Sequence, residues 1–176
     1  MADGGITRAM EKITELCNDP NGGCVFWSAG AKPPELLVSG EVVMATGWNG
    51  RFFNAIMDGA PLTQVWDGQG LDYQYMVVVK GGPNEADAMK AIKEMMSTEG
   101  LAGSAKHIAY APFRKSSLKV IEAGEPWYKD GKTNMLPEMP SSKRNTKKYF
   151  LVDPLFWADN STEINEQWEA MKAALK

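Results

Sequence analysis

Gly40-Glu-Val-Val-Met-Ala-Thr-Gly-Trp-Asn-Gly50, followed by Tyr73-Gln-Tyr-Met-Val-Val-Val-Lys-Gly81, decides how this chain is read. The first stretch reads as a buried strand that ends by delivering Trp48 and Asn49 into a turn. The second reads as an aromatic-flanked strand that becomes purely apolar. Indole, amide and phenol groups then stand at strand ends with no nucleophile or metal ligand beside them. That is equipment for holding a small molecule rather than for transforming it.

Outward from these two runs, strands and helices alternate across short Gly/Pro turns, the pattern of an α/β sheet. Upstream, Ile6, Met10, Ile13 and Leu16 recur at helical spacing with Arg8, Glu11, Lys12 and Glu15 opposite, so an amphipathic helix is expected, closed by Asn18-Asp-Pro20. Cys24 to Trp27 is a short strand candidate. Lys32 to Gly40 suits a short helix with prolines in its first turn and glycine past its end. Arg51 to Met57 is another helix, closed by Asp58-Gly59, and Pro61 to Trp66 alternates weakly as a strand. Gly81-Gly-Pro-Asn84 is a turn in which Asn84 can cap the next helix, whose apolar stripe is Met89, Ile92 and Met96. A short helix around Leu101 to His107 leads into Ile108-Ala-Tyr-Ala-Pro112. Residues 122–148, rich in Gly, Pro, Lys and Ser, read as a long surface excursion. A final helix is capped by Asn160 or Ser161 and shows Ile164, Trp168, Met171 and Leu175 on one face.

Composition narrows the function. The 176 residues are 44% hydrophobic and 23% charged, as expected of a chain that buries a core. A net charge of -3 argues against sequence-independent nucleic-acid binding, which needs a dense basic surface. The one basic run, Lys143-Arg144 with Lys147-Lys148, lies in a Ser/Asn/Pro-rich loop. No apolar run approaches the roughly 20 residues that cross a bilayer. Cys17 and Cys24 flank Asp19-Pro-Asn-Gly-Gly23, a turn that can bring them within disulfide reach. In an oxidising compartment a bridge is expected, and otherwise two reduced cysteines pack as small hydrophobes. A zinc site is disfavoured because His107 is the single histidine. No cofactor motif is present.

Enzyme readings are the weaker class. There is no G-x-S-x-G elbow, P-loop or H-E-x-x-H. Gly68-Gln-Gly70 lacks the third glycine of a dinucleotide fingerprint, and Asp67-Gly68 is better read as a turn. A small α/β enzyme would have to work with Asp67, Asp72 or His107, which read more simply as turn, cap and helix-end residues. A module whose role is purely structural self-association is a further alternative. Binding is favoured by six tryptophans and five tyrosines, with Trp48, Trp66, Tyr73, Tyr75, Tyr110 and Trp157 at strand ends or in turns. Flat rings beside acids or amides can cradle an ammonium group or stack on a sugar or apolar body. Trp27 and Trp168 read as core.

The order of Gly40–Gly50, Val65-Trp66, the strand to Val79, Pro83-Asn84 before a helix, Tyr110-Ala-Pro112 and Phe150-Leu-Val-Asp-Pro-Leu-Phe-Trp157 resembles the second half of spermidine/putrescine-type periplasmic binding proteins, the solute-capturing subunits of ABC importers. The resemblance covers nearly the whole chain. It implies a type II periplasmic binding-protein fold in which most of the first lobe is absent. Residues 1–76 would form a second-lobe α/β segment. Residues 77–176 would form a hinge strand and a helical segment returning toward the first lobe. It further implies a periplasmic location, a membrane permease as partner, and a small polar, amine-containing solute such as a polyamine held in a cleft. Trp48 and Tyr110 match cleft aromatics of that family, and Asn49 follows in the same block. The family's tryptophan and amine-binding aspartate on the next strand fall at Gln74 and Met76, a departure that Asp72, on the same strand face, could make good. Ligand contact is therefore expected from Trp48, Asn49, Asp72, Gln74, Met76 and Tyr110. Exposed sheet edges and apolar faces also lead to an expectation of self-association.

Overall fold

A computed structural model describes residues 4–123 and 128–175. The chain divides into two compact units, one made of Met1–Ser28 with Asp153–Lys176 and the other of Ala29–Val152. The 76–77 junction read from the sequence falls inside the second.

In the first unit, α1 (Gly5–Cys17) packs on α7 (Pro154–Ala174). Ile6, Met10 and Ile13 are partly covered, while Arg8, Glu11 and Lys12 face water, as the spacing requires. Past α1, Cys17 and Cys24 form a disulfide across a turn whose Asn21 N–H donates to the Asp19 carboxylate at 2.8 Å. Residues 24–27 form no strand. Phe26 instead meets Trp168 edge to face with ring centroids 5.2 Å apart, a contact made by side chains without any ladder. The start of α7 also differs from expectation. Asp153 accepts hydrogen bonds from the Leu155 and Phe156 N–H groups and Pro154 occupies the first turn, so Asn160 and Ser161 lie inside the helix.

The second unit carries α2 (Lys32–Val38), α3 (Asn49–Met57), β1 (Gln69–Leu71), α4 (Glu85–Met95), α5 (Thr98–Ser104), α6 (Lys115–Glu122), a 3₁₀ turn (Leu136–Glu138) and β2 (Tyr149–Leu151). Pro33 and Pro34 start α2, and Gly40 follows its end at φ 75°, where a side chain would be strained. Glu85 and Asp87 favour the first turn of α4 electrostatically, and the Ser97 hydroxyl accepts the Gly100 N–H to cap α5. Helix α6 carries Ser117 and Ile121, one turn apart, on its buried face.

The expected strands are where sequence and structure part. Residues 41–46, 61–66 and 73–80 form no ladder among the described residues, and Val43 (93% exposed), Met44, Val65, Val77 and Val79 stand in solvent. Apolar, β-branched composition favours a pleated half-buried surface only where a partner strand supplies one. The sheet is instead a parallel pair, with Gln69 opposite Tyr149, Gly70 opposite Phe150 and Leu71 opposite Leu151. It begins directly after the Asp67-Gly68 turn, where Gly68 has φ 80°.

The excursion at 122–148 is likewise not a surface loop over its described part, residues 124–127 lying outside the described residues. Tyr128, Met135 and Met139 join Phe53, Ala102, Ala105, Ala109 and Ile121 in the core. Tyr128 meets Phe53 edge to face at 5.2 Å. The segment is held by Asn145, whose amide donates to the Pro137 and Met139 carbonyls at 2.8 and 2.9 Å. Gln69, from β1, donates to the carbonyls of Pro140 and Asn145 at 2.9 and 2.7 Å. These backbone carbonyls are paired internally, which lets part of a Pro/Ser/Lys-rich segment be buried, although the Ser141 and Ser142 hydroxyls there find no partner. Replacing Asn145 with Ala leaves the Pro137 carbonyl without a partner, while the Met139 carbonyl keeps the Ser142 N–H at 3.0 Å. Urea unfolding should show a loss of about 1–3 kcal/mol.

Tyr128 is presented by a tight turn in which its N–H donates to the Thr133 carbonyl at 2.8 Å. Hydrogen bonds from the Thr133 hydroxyl, then from the Thr133 and Lys132 N–H groups, hold the Asp130 carboxyl down from 3.8 to about 2. A carboxylate depressed on folding adds stability above its unfolded value and loses it as pH falls through the folded one. Asp130→Asn should therefore melt below the parent at neutral pH, and the gap should narrow between pH 3.8 and about 2. A gap that stays constant across a pH series of thermal melts would remove this role.

Candidate functional site

Trp48, Asn49 and Tyr110 are brought together by one turn of helix and one hydrogen bond. Trp48 sits just ahead of α3 in an extended conformation, and its carbonyl accepts the Arg51 N–H at 2.9 Å. Asn49 opens α3, and its side-chain amide donates to the carbonyl of Ala109, a residue with no solvent exposure. Gly50, also buried, lies against the ring of Tyr110 and the side chain of Ile108. Farther along α3, Phe53 is anchored in the core. The start of this helix is thus fixed to the Ile108–Tyr110 segment from one side and to the core from the other.

The two rings remain accessible. Trp48 is 57% exposed and Tyr110 40%, so neither is core filler. The Trp48 indole lies over Gly30, in the turn that leads into α2 and that the Lys32 N–H closes on the Ala29 carbonyl. No side chain caps the start of α3, and no acid occupies its first turn. Its backbone N–H groups and positive dipole end favour a negatively charged partner.

Asp72, Gln74 and Met76 lie elsewhere along the chain, beyond β1. Gln74 donates to the Asp72 carboxylate at 3.3 Å, both are exposed, and Met76 is 46% exposed. Asp67 is paired with Lys148 at 3.2 Å beside the β1–β2 pair. His107 is exposed in the turn after α5, its N–H donating to the Ser104 carbonyl. These groups do not assemble into an acid/base pair. Among the described residues no cluster of His, Cys, Asp or Glu could hold a metal ion, and no helix is long and apolar enough to cross a membrane.

Ala109 and Gly30 escaped the sequence reading. A backbone carbonyl carries no sequence signal, and Gly30 looks like any turn glycine. Gly50 is visible inside the Trp-Asn-Gly block, where its local signal is that of a turn residue.

Residues 2–136 match the family of bacterial extracellular solute-binding proteins, and the chain belongs to that family. It is 33% identical over 169 residues to a γ-aminobutyric acid-binding protein of Pseudomonas aeruginosa, covering 96% of this chain but 44% of that protein. The periplasmic binding protein MotA of A. tumefaciens B6, solved with glucopine, superposes with a TM-score of 0.76 at 27% identity, covering 97% of this chain and 49% of that one. A solved GABA receptor superposes with a TM-score of 0.72 at 25% identity, covering 98% and 49%. The fold is therefore that of periplasmic binding proteins, and the chain spans about half the length of these relatives. The relatives are named for binding, none for catalysis, and none is named for polyamines.

The Asn49 amide carries the geometry. Asn49→Leu fills similar space but leaves the Ala109 carbonyl buried and unpaired. Chemical unfolding should report about 1–3 kcal/mol of lost stability, and the Tyr110 ring should become more mobile on an NMR timescale.

Proposed function

We propose that this chain contributes the second-lobe half of the cleft in a solute-binding component of an ABC importer, located in the periplasm and delivering its solute to a membrane permease. The observation that carries the reading is the exposed Trp48–Tyr110 pair, fixed in place by Asn49 and Gly50 in a member of a solute-binding family. Such rings take an ammonium group by cation–π attraction, about 0.5–2 kcal/mol each, or stack on an apolar body. The location accords with the Cys17–Cys24 bridge, since disulfides persist in oxidising compartments.

The solute class we favour is a small amino-carboxylic acid rather than a polyamine. An uncapped helix start with no acid nearby suits a carboxylate, which a polyamine lacks. Relatives named for γ-aminobutyric acid and solved with glucopine point the same way. The amine would be met by the rings, with Asp72 and Gln74 as polar partners and Met76 as apolar wall. Self-association, expected from the apolar runs, finds no support among these relatives.

A thermal-shift panel of γ-aminobutyric acid, glucopine, agropinic acid, putrescine and spermidine tests the reading. A solute at a hundred times its Kd should stabilise the protein by about 2.7 kcal/mol, and Trp48→Ala should weaken binding and shrink the shift. A response confined to polyamines would overturn the solute class. An unchanged response in Trp48→Ala would overturn the site.

A further inference from the structure

We propose that Gly30 and Gly50 are positioning residues, each keeping open the space in which one ring of the site stands. The proposal deepens the solute-binding reading and rests on it for its functional consequence. Neither glycine adopts a positive φ, so neither is required for backbone freedom. What each supplies is the absence of a Cβ.

At Gly30 a Cβ would collide with the Trp48 indole, 2.5 Å from Cε3 and closer still to Cζ3. Carbon atoms in contact sit about 3.5–4.0 Å apart. The atoms struck belong to the six-membered ring of a side chain that is 57% exposed, so the ring, not the backbone, would give way. At Gly50 a Cβ would fall 2.7 Å from Tyr110 Cε1, 2.8 Å from its Cζ and 2.9 Å from Ile108 Cγ1. Tyr110 is partly exposed and can swing outward, whereas Ala109 beside it is fully buried and bonded to Asn49. Position 50 is in the first turn of α3, where alanine is the better helix former. Glycine there works against local helix propensity and leaves room for the ring. By contrast, a Cβ at Gly103 in α5 meets nothing within 4 Å.

The test compares Gly30→Ala, Gly50→Ala and the control Gly103→Ala. The Trp48 indole N–H resonance, identified by its loss in Trp48→Phe, should shift in Gly30→Ala while the other indole resonances hold. The Tyr110 ring signals should move in Gly50→Ala, and neither ring should respond in Gly103→Ala. Titrated with γ-aminobutyric acid, Gly30→Ala should bind about tenfold more weakly. In a Trp48→Ala background the same substitution should change affinity less than about twofold, because its effect passes through the indole. An unmoved indole resonance overturns the proposal, as does unfolding of Gly30→Ala or Gly50→Ala, since the glycine would then serve the core. If Trp48→Ala binds like the parent while the indole still shifts in Gly30→Ala, the solute reading fails and the seating of the ring stands.

Discussion

The hydrogen bond from the Asn49 amide to the Ala109 carbonyl is the constraint on which the candidate site depends. It joins segments sixty residues apart in sequence, and it does so between a helix start and a chain segment with no regular structure of its own. Without it, the buried Ala109 carbonyl would lose its partner and the start of α3 would lose its hydrogen bond to the segment that carries Tyr110. Because Ala109 is fully buried, no water can take the place of the amide, so the bond confers position as well as stability. Both aromatic rings inherit their placement from it.

A second polar hub does for the core what Asn49 does for the site. Asn145 spends both amide protons on the carbonyls of Pro137 and Met139, and its own carbonyl accepts from Gln69. This lets Met135 and Met139 enter the core from a segment whose composition suggests solvent. Their burial, with Tyr128 against Phe53, backs the face of α3 opposite its start. The site is thus supported through α3, whose Phe53 is clamped by the core while its start is clamped by Ala109.

Much of the helical framework could be read from the chain because helix signals are local. The spacing of Ile6, Met10 and Ile13 and the prolines at 33 and 34 each act within a turn or two, and Asn84 marks the start of α4 although its side chain makes no capping hydrogen bond. The body of α7 is legible for the same reason, but its start is not, and Leu175, expected on its apolar face, is extended just past its end. Asp153-Pro154 carried the true cap, and the apolar residues that follow it masked the signal. Strands were illegible in the opposite way. The Val43-Met44 and Val77–Val79 runs have every compositional mark of a strand and no ladder partner among the described residues, while the short Gln69–Leu71 strand has weak composition and a partner at Tyr149. A strand is a relation between two segments, and only one of them is visible in any local window. Within the site, Trp48 and Tyr110 were found because ring chemistry is recognisable in one residue. Ala109 was hidden because its contribution is a carbonyl that every residue possesses.

The exposure of the two rings also bears on how such a site would work. A large aromatic side chain left in water is ordinarily free to change rotamer, and a binding partner must then bear the cost of ordering it. Trp48 is more than half exposed, yet its indole lies against a turn closed by its own backbone hydrogen bond, with a glycine beneath the ring. Tyr110 is half-exposed but flanked by buried Ala109 and Gly50. The two rings are therefore accessible and already held in place, as the proposed site requires. Preorganisation of this kind improves affinity by reducing what association must immobilise. It requires no group that attacks, protonates or coordinates: Asp67 is ion-paired with Lys148, Asp72 accepts from Gln74, and His107 lies exposed in the turn after α5.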